Sequence, residues 1–275
     1  SEYWHYNKKE TQMKNLHYIP HTHWDREWHK TFEAFRVRLG YSMEILLDTM
    51  ENDKNFDYFM YDAQTSILDD YLTVYPENRE RLKKLISDKR LFVGPWYTQP
   101  DFYLISGESL VRNLLIGSNI ADDMGHSMET GYIPDSFGQS AQLPQILNGF
   151  DLKSVLVWRG IACDDIDDSV FSWQSPDGSE ILGIHFPLGY GYNRYLPADK
   201  ENAVKKILET EEKIADRFKD GEVMLMGGGD HTTIQNGLPD IINYANEYFK
   251  KNNYDLNIKI SNPELLTKDI KNALK

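Results

Sequence analysis

Hydrophobic and polar positions along this chain switch repeatedly between two periods. Leu16 to Pro20 is a short apolar run that predicts a first β-strand. Thr31 to Met50 carries Phe32, Phe35, Leu39, Met43, Leu46 and Leu47 at helical spacing and predicts a helix. Short strands are predicted at Phe56 to Tyr61, Leu91 to Val93, Gly131 to Pro134, Ser154 to Trp158 and Val223 to Met226. Helices are predicted between them. Ser66 to Tyr75 and Pro76 to Lys89 read as helical, with Pro76 suited to a first turn. A helix capped by Ser106 runs to Asp123 and stops at Gly125; another spans Gln142 to Leu147 and ends at Gly149. Glu201 to Phe218 is strongly amphipathic. Phe171 to Trp173 and Ile181 to Phe186 predict a hairpin across Ser175 to Gly178, its second arm doubling as a main strand. Leu188 to Tyr195 reads as a loop, and a helix at Leu238 to Phe249 precedes a strand at Leu256 to Ile260.

Strand followed by helix, repeated about seven times, predicts parallel strands joined by helical crossovers. The expected fold is α/β, mostly parallel, closed or nearly closed. No linker or low-complexity tract interrupts it, so residues 15–275 read as one domain. Residues 1–14 read as an N-terminal arm or an appended segment.

Composition narrows the function class. The chain has 275 residues and a formal net charge of −13, which argues against nucleic acid or an anionic membrane as partner. No apolar run approaches the roughly 20 residues needed to span a bilayer, and no secretory signal is visible. The single cysteine, Cys163, excludes an internal disulfide and fits a reducing, cytoplasmic setting. A homo-oligomer is compatible with all of this.

The candidate chemistry lies at predicted strand ends. His21-Thr22-His23-Trp24-Asp25 follows the first strand, with His23 and Asp25 two positions apart on extended backbone and so pointing the same way. An imidazole and a carboxylate side by side suit a borderline divalent ion such as zinc. For a lone histidine a polar turn is the better reading; for the whole cluster the metal reading leads. Asp62 and Gln64, Gln99 and Asp101, Asp135, Arg159, and Asp230 with His231 also follow strands. In βα barrels those ends share one face, which carries the site, although loops are polar anyway. Asp135 and Asp230 suit a nucleophile and general acid of glycoside hydrolysis, or metal-assisted hydrolysis of an amide or ester. Alone, each is as well read as a helix cap or a turn residue. Gly227 to Gly229 would let backbone approach a ligand closely.

Three stretches carry a resemblance. His21-Thr22-His23-Trp24-Asp25-Arg26-Glu27-Trp28, Gly94-Pro95-Trp96-Tyr97-Thr98-Gln99 and Gly131-Tyr132-Ile133-Pro134-Asp135-Ser136-Phe137-Gly138 resemble the class II α-mannosidases, glycoside hydrolase family 38. The similarity runs from about Asn15 to His231 and is greatest to the bacterial branch that includes mannosylglycerate hydrolase. It implies a seven-stranded (β/α) barrel of the glycoside hydrolase/deacetylase type, one zinc ion and a retaining mechanism through a covalent mannosyl-enzyme. By motif, His23, Asp25 and Asp135 would be metal ligands, and Asp135 also the nucleophile. Trp28 would stack on the sugar, and Arg159 would keep the nucleophile ionised. Asp230 aligns with the acid/base position, although Gly228-Gly229-Asp230-His231 departs from the Gly-Asp-Asp pattern of eukaryotic members. Asp62, Trp96, Asp101, Arg159 and His231 complete the expected substrate contacts. A retaining pair implies carboxylates about 5–5.5 Å apart.

The resemblance further implies a fourth zinc ligand, a histidine beyond the barrel, and helical and β domains downstream. The chain therefore reads as an N-terminal catalytic fragment, with weak or absent zinc binding and activity on its own; His231 is the in-chain candidate for the fourth ligand. Two rivals stand beside the mannosidase reading: a metal-dependent carbohydrate deacetylase on a related barrel, and an inactive sugar-binding fragment.

Overall fold

A computed structural model describes residues 13–275. The expected arm thus lies outside the described residues except for Met13 and Lys14, and Lys14 already begins the first strand. The described residues form ten strands and eight α-helices, in an α/β order with mostly parallel ladders. The strands form three sheets, β10-β1-β9, β2-β3-β4 and β5-β6-β8-β7. These ladders do not join into one closed seven-stranded ring.

The centre of the fold is β1 (Lys14–Ile19), with β10 (Leu256–Ile260) on one side and β9 (Glu222–Met226) on the other, both parallel to it. Four of its six residues are buried, as expected of a parallel strand covered on both faces. Pro20 has no N–H and interrupts the strand. It resumes as β2 (His21–Thr22) with a new neighbour, β3 (Phe59–Tyr61), in the register His21↔Met60. The Pro20 carbonyl still accepts the Met60 N–H at 3.0 Å, so the change of partner loses no bond there. On the far side His23 bridges to Asp230, beyond the end of β9. This exchange of neighbours sets His21 to Asp25 between the ends of β3 and β9.

β4 (Leu91–Phe92) continues the second sheet, and β5 (Gly131–Ile133), β6 (Ser154–Val157) and β8 (Glu180–His185) form the parallel core of the third. β7 (Val170–Gln174) is antiparallel to β8, the expected hairpin. Helix α1 (Phe32–Asn52) starts at Thr31, whose side chain accepts the Ala34 N–H, and buries Phe35, Leu39, Met43, Leu46, Leu47 and Met50. Truncating one such residue, for example Leu46→Ala, costs about 2–5 kcal/mol. α2 (Ser66–Val74), α3 (Arg79–Ser87), α4 (Gly107–Asp123), α5 (Leu143–Gly149), α6 (Lys200–Ile214) and α7 (Leu238–Lys251) fall where periodicity predicts them. The predicted helix at Glu201 to Phe218 ends its α turns at Ile214 and finishes as a 3-10 turn. α8 (Pro263–Ala273) was not predicted, although Asn262 caps it through the Leu265 N–H at 2.9 Å and Pro263 opens it. No helix among the described residues is long and apolar enough to cross a membrane.

Candidate active site and metal centre

His23 is buried and held from both sides. Its N–H donates to the Gly229 carbonyl at 3.0 Å, and its carbonyl accepts the His231 N–H at 2.8 Å. Gly228 makes that approach feasible: a Cβ there would lie 1.9 Å from the His21 carbonyl oxygen. A Cβ on Gly227 would lie 2.2 Å from the Tyr18 ring. These two glycines thus admit protein, where the sequence suggested they admit a ligand. Their packing draws Asp230 beside His23.

His23, Asp25 and Asp230 offer ligating atoms that all lie within 4.8 Å of one another. His23 Nε2 is 3.7 Å from Asp25 Oδ1, while its Nδ1 faces Asp62 Oδ1 at 2.9 Å. Burial pushes the His23 imidazolium down, but Asp62, then Asp25 and Asp135, outweigh it and raise the group to about 9. Burial raises the half-buried Asp25 carboxyl. Among the described residues, neither Asp25 nor the Asp230 carboxylate is paired with lysine or arginine. The acid-rich trio therefore fits a small divalent cation, and its imidazole and carboxylate donors suit zinc. Such a cation would displace the His23 proton.

Asp135, at the end of β5, lies apart from that trio. Arg159 Nε donates to Asp135 Oδ1 at 2.6 Å, and Nη2 contacts the same oxygen. The guanidinium is fixed over the Trp158 ring, 3.7 Å from its centroid, with Phe137 4.9 Å away on another side. Tyr190 is bonded to one of the two catalytic carboxylate candidates and feels the charge of the other. Its hydroxyl donates to Asp230 Oδ1 at 2.9 Å. Burial, the Asp135 charge and then the Asp230 bond raise the phenol above its ordinary value.

The family described as "Glycosyl hydrolases family 38 N-terminal domain" matches residues 13–275. The chain belongs to glycosyl hydrolase family 38. A relative from Halalkalibacterium halodurans, named "Putative mannosylglycerate hydrolase", is 36% identical over 253 residues, covering 86% of this chain and 28% of the relative. Alpha-mannosidase 2C1 of Mus musculus is 29% identical over 71% of this chain and 18% of its own length. The crystal structure of an alpha-mannosidase from Enterococcus faecalis V583 superposes with a TM-score of 0.88 at 34% identity, over 94% of this chain and 29% of that one. The chain thus spans less than a third of the length of these relatives.

Within this family 38 domain the expected site residues separate. His23, Asp25, Asp135, Asp230 and Arg159 gather at one set of strand ends. The trio that converges contains Asp230, where the motif match placed Asp135. Trp28 is 65% exposed at the rim, its ring 6.3 Å from that of His231. His231 itself is packed against Phe35 at 4.4 Å and Trp24 at 4.9 Å. Its Nε2 lies 3.2 Å from both the backbone N and O of Asp25, so it braces the Asp25 turn. Trp96 is 0% exposed, with Nε1–H on the Tyr132 carbonyl, and has no face to offer a sugar. Asp62 is equally buried, and both its oxygens are taken by protein donors. Asp101 is exposed but accepts the Phe137 N–H at 2.9 Å, fastening the loop after Asp135. Tyr190 was missed within the glycine- and tyrosine-rich loop at 188–195, where nothing local distinguishes it from its neighbours.

Proposed function

We propose that this domain carries the catalytic centre of a zinc-dependent, retaining α-mannosidase. The observation that carries the reading is the convergence of His23, Asp25 and Asp230, with the Arg159-bonded Asp135 near enough for its charge to act on both His23 and Tyr190. Family membership supports the reaction class. The names of the relatives, a putative mannosylglycerate hydrolase and α-mannosidases, support an α-mannoside as substrate; the proposed substrate is a terminal α-mannoside, such as mannosylglycerate or a small α-mannosyl oligosaccharide. The three sheets are taken as arcs of the (β/α) barrel. Met128 N–H bonded to the Val93 carbonyl and Trp96 Nε1–H on the Tyr132 carbonyl support continuity between the second and third sheets. The absence of a membrane-crossing helix among the described residues is compatible with a cytoplasmic enzyme.

His23 and Asp25 would hold the zinc together with a carboxylate from Asp135, as the motif match has it. When bound, the ion supplies Lewis-acid attraction for sugar hydroxyls. Asp135 Oδ attacks the anomeric carbon as the glycosidic C–O bond breaks, and Asp230 gives its proton to the departing oxygen. Asp230 then takes a proton from water, which attacks the same carbon and frees Asp135. Arg159 fixes the attacking carboxylate in place. Trp28 offers an exposed ring to an apolar sugar face.

A second reading is favoured by the converging trio itself. In it Asp230 is the third zinc ligand and Asp135 acts as nucleophile alone. Zinc titration of Asp135→Asn and Asp230→Asn separates the two, because the variant that loses affinity has lost the ligand. Hydrolysis of an aryl α-mannoside tests the function. Asp135→Asn should reduce it at least about 1,000-fold, with the protein still folded by circular dichroism. Undiminished turnover in that variant, or release of acetate in place of mannose, would overturn the reading.

A further inference from the structure

Asp62 is used neither by the proposed reaction nor by any contact with solvent. It stands at the end of β3 with φ of 54°, followed by Ala63 at 54°. Two successive non-glycine residues in the left-handed region are uncommon and persist where surrounding structure over-determines them. The clamp is visible. Oδ2 accepts the Trp24 N–H at 2.8 Å and Gln64 Nε2–H at 2.6 Å, while Oδ1 meets His23 Nδ1 at 2.9 Å. Gln64 also donates to the Trp24 carbonyl at 2.8 Å, and Gln99 to the Asp62 carbonyl at 2.8 Å.

We propose that Asp62 is a positioning residue for the metal centre, holding His23 in the tautomer whose Nε2 can bind a cation. The proposal rests on the metal reading given above. A carboxylate at Oδ1 accepts only, so His23 Nδ1 must carry a proton. In the neutral ring Nε2 then presents its lone pair, and Nε2 is the nitrogen that faces Asp25. Asp62 thereby fixes both ring orientation and protonation from behind. The strained turn at Asp62 and Ala63 is what brings the carboxylate back over β2 to reach the ring.

Asp62→Asn gives a directional test. Asparagine tolerates left-handed backbone and nearly matches the volume. Two N–H donors converge where Oδ2 now sits, so the amide oxygen takes that place. The amide NH2 then faces His23 Nδ1, which must become the unprotonated nitrogen, and Nε2 gains the proton. Titration with zinc chloride should show a loss of about 10–100-fold in affinity. Nitrogen-15 NMR of the metal-free protein at alkaline pH, with the ring neutral, should show the proton moved from Nδ1 to Nε2. Gln64→Ala removes one donor to Asp62 but leaves the His23 contact; its tautomer should match wild type and its zinc affinity should stay within about threefold, below the 10–100-fold outer-shell effect.

Retention of the Nδ1 proton in Asp62→Asn would overturn the proposal, as would equal loss of zinc in Gln64→Ala. If Asp62→Asn fails to fold, the wild-type tautomer decides, since an Nε2–H ring there contradicts the assigned role. Absence of zinc binding in wild type would count against the metal reading, while the tautomer would still decide the role of Asp62.

Discussion

At one end of β1, His17 meets Glu222 and Asp269; past Pro20, on the same run of chain, His23 meets Asp25 and Asp230. Both groups have the residue types and spacing of a metal site. They differ in how their charges are answered. His17 donates from Nε2 to Glu222 at 2.8 Å and accepts at Nδ1 from Ser261 at 2.7 Å. Asn15 covers the other Glu222 oxygen at 2.8 Å, and Lys259 sits on Asp269 at 2.6 Å. Burial, with Lys259 acting in the same direction, lowers His17 despite the Glu222 bond. That cluster is a closed, cation-supplied network. Around His23, three carboxylates, those of Asp25, Asp62 and Asp230, face one imidazole, and among the described residues no lysine or arginine pairs with the Asp25 or Asp230 carboxylate, Arg194 reaching only the Asp230 backbone carbonyl. Ligand spacing nominates both clusters. Charge balance selects one.

The largest expected difference is in metal binding. His23→Ala should weaken zinc affinity by about 100-fold or more, at or beyond the loss typical of an outer-shell partner. His17→Ala should leave affinity unchanged. Calorimetry on both variants checks this, and equal losses would erase the distinction between the two ends.

The next contrast is in pH dependence, read by urea unfolding of chelator-treated protein. The folded pKa of His23 is raised from 6.5 to about 9, so its contribution is fully present below pH 6.5 and fades as pH rises through about 9. Its size is on the order of 3 kcal/mol. His17 is lowered from 6.5, so its contribution is present above pH 6.5 and fades as pH falls toward the lowered folded value. His23→Gln should therefore flatten the alkaline limb of the stability curve, and His17→Gln the acid limb. A single variant that flattens both would show the clusters to be coupled.

The smallest effect sharpens the role of Lys259. Lys259→Met removes the ammonium from Asp269 and should raise the His17 pKa, seen by NMR titration. Because this pair is partly exposed, stability should fall by no more than about 1 kcal/mol. Zinc binding at this cluster should become detectable but weak in the variant, and should not be seen in wild type. If His17 does not move, Lys259 is not what closes the lower cluster.

Much of the fold was legible locally. β10 lies at the predicted Leu256–Ile260, and α4 starts at the predicted Ser106 cap, with Ser106 Oγ accepting the Ser109 N–H at 3.1 Å. Strand ends were legible too, and His23, Asp25 and Asp230 converge there, while Asp135 pairs with Arg159. Their roles were less so. Trp96 and Asp62 occupy strand-end positions like the others, yet both are fully buried. Nothing in a strand-end position says whether a side chain turns outward to solvent or inward to brace its neighbour. Asp62 turns inward because its backbone adopts a left-handed φ, which hydrophobic periodicity does not encode.

Periodicity and caps act over one or two turns, so the order of strands and helices follows from residues close together in the chain. Motifs of eight residues are local in the same sense, and they carry the family. Whether Asp230 or Asp135 reaches His23 and Asp25 depends on side chains brought together from distant strands. Gly228 lets β9 close against His21, Arg159 draws Asp135 onto Trp158, and Lys259 neutralises the other end. Each is a long-range contact whose energy exists only once the sheets have packed. That is why two histidines six residues apart on one run of chain, alike as residues, end as a locked structural group and a metal-facing one.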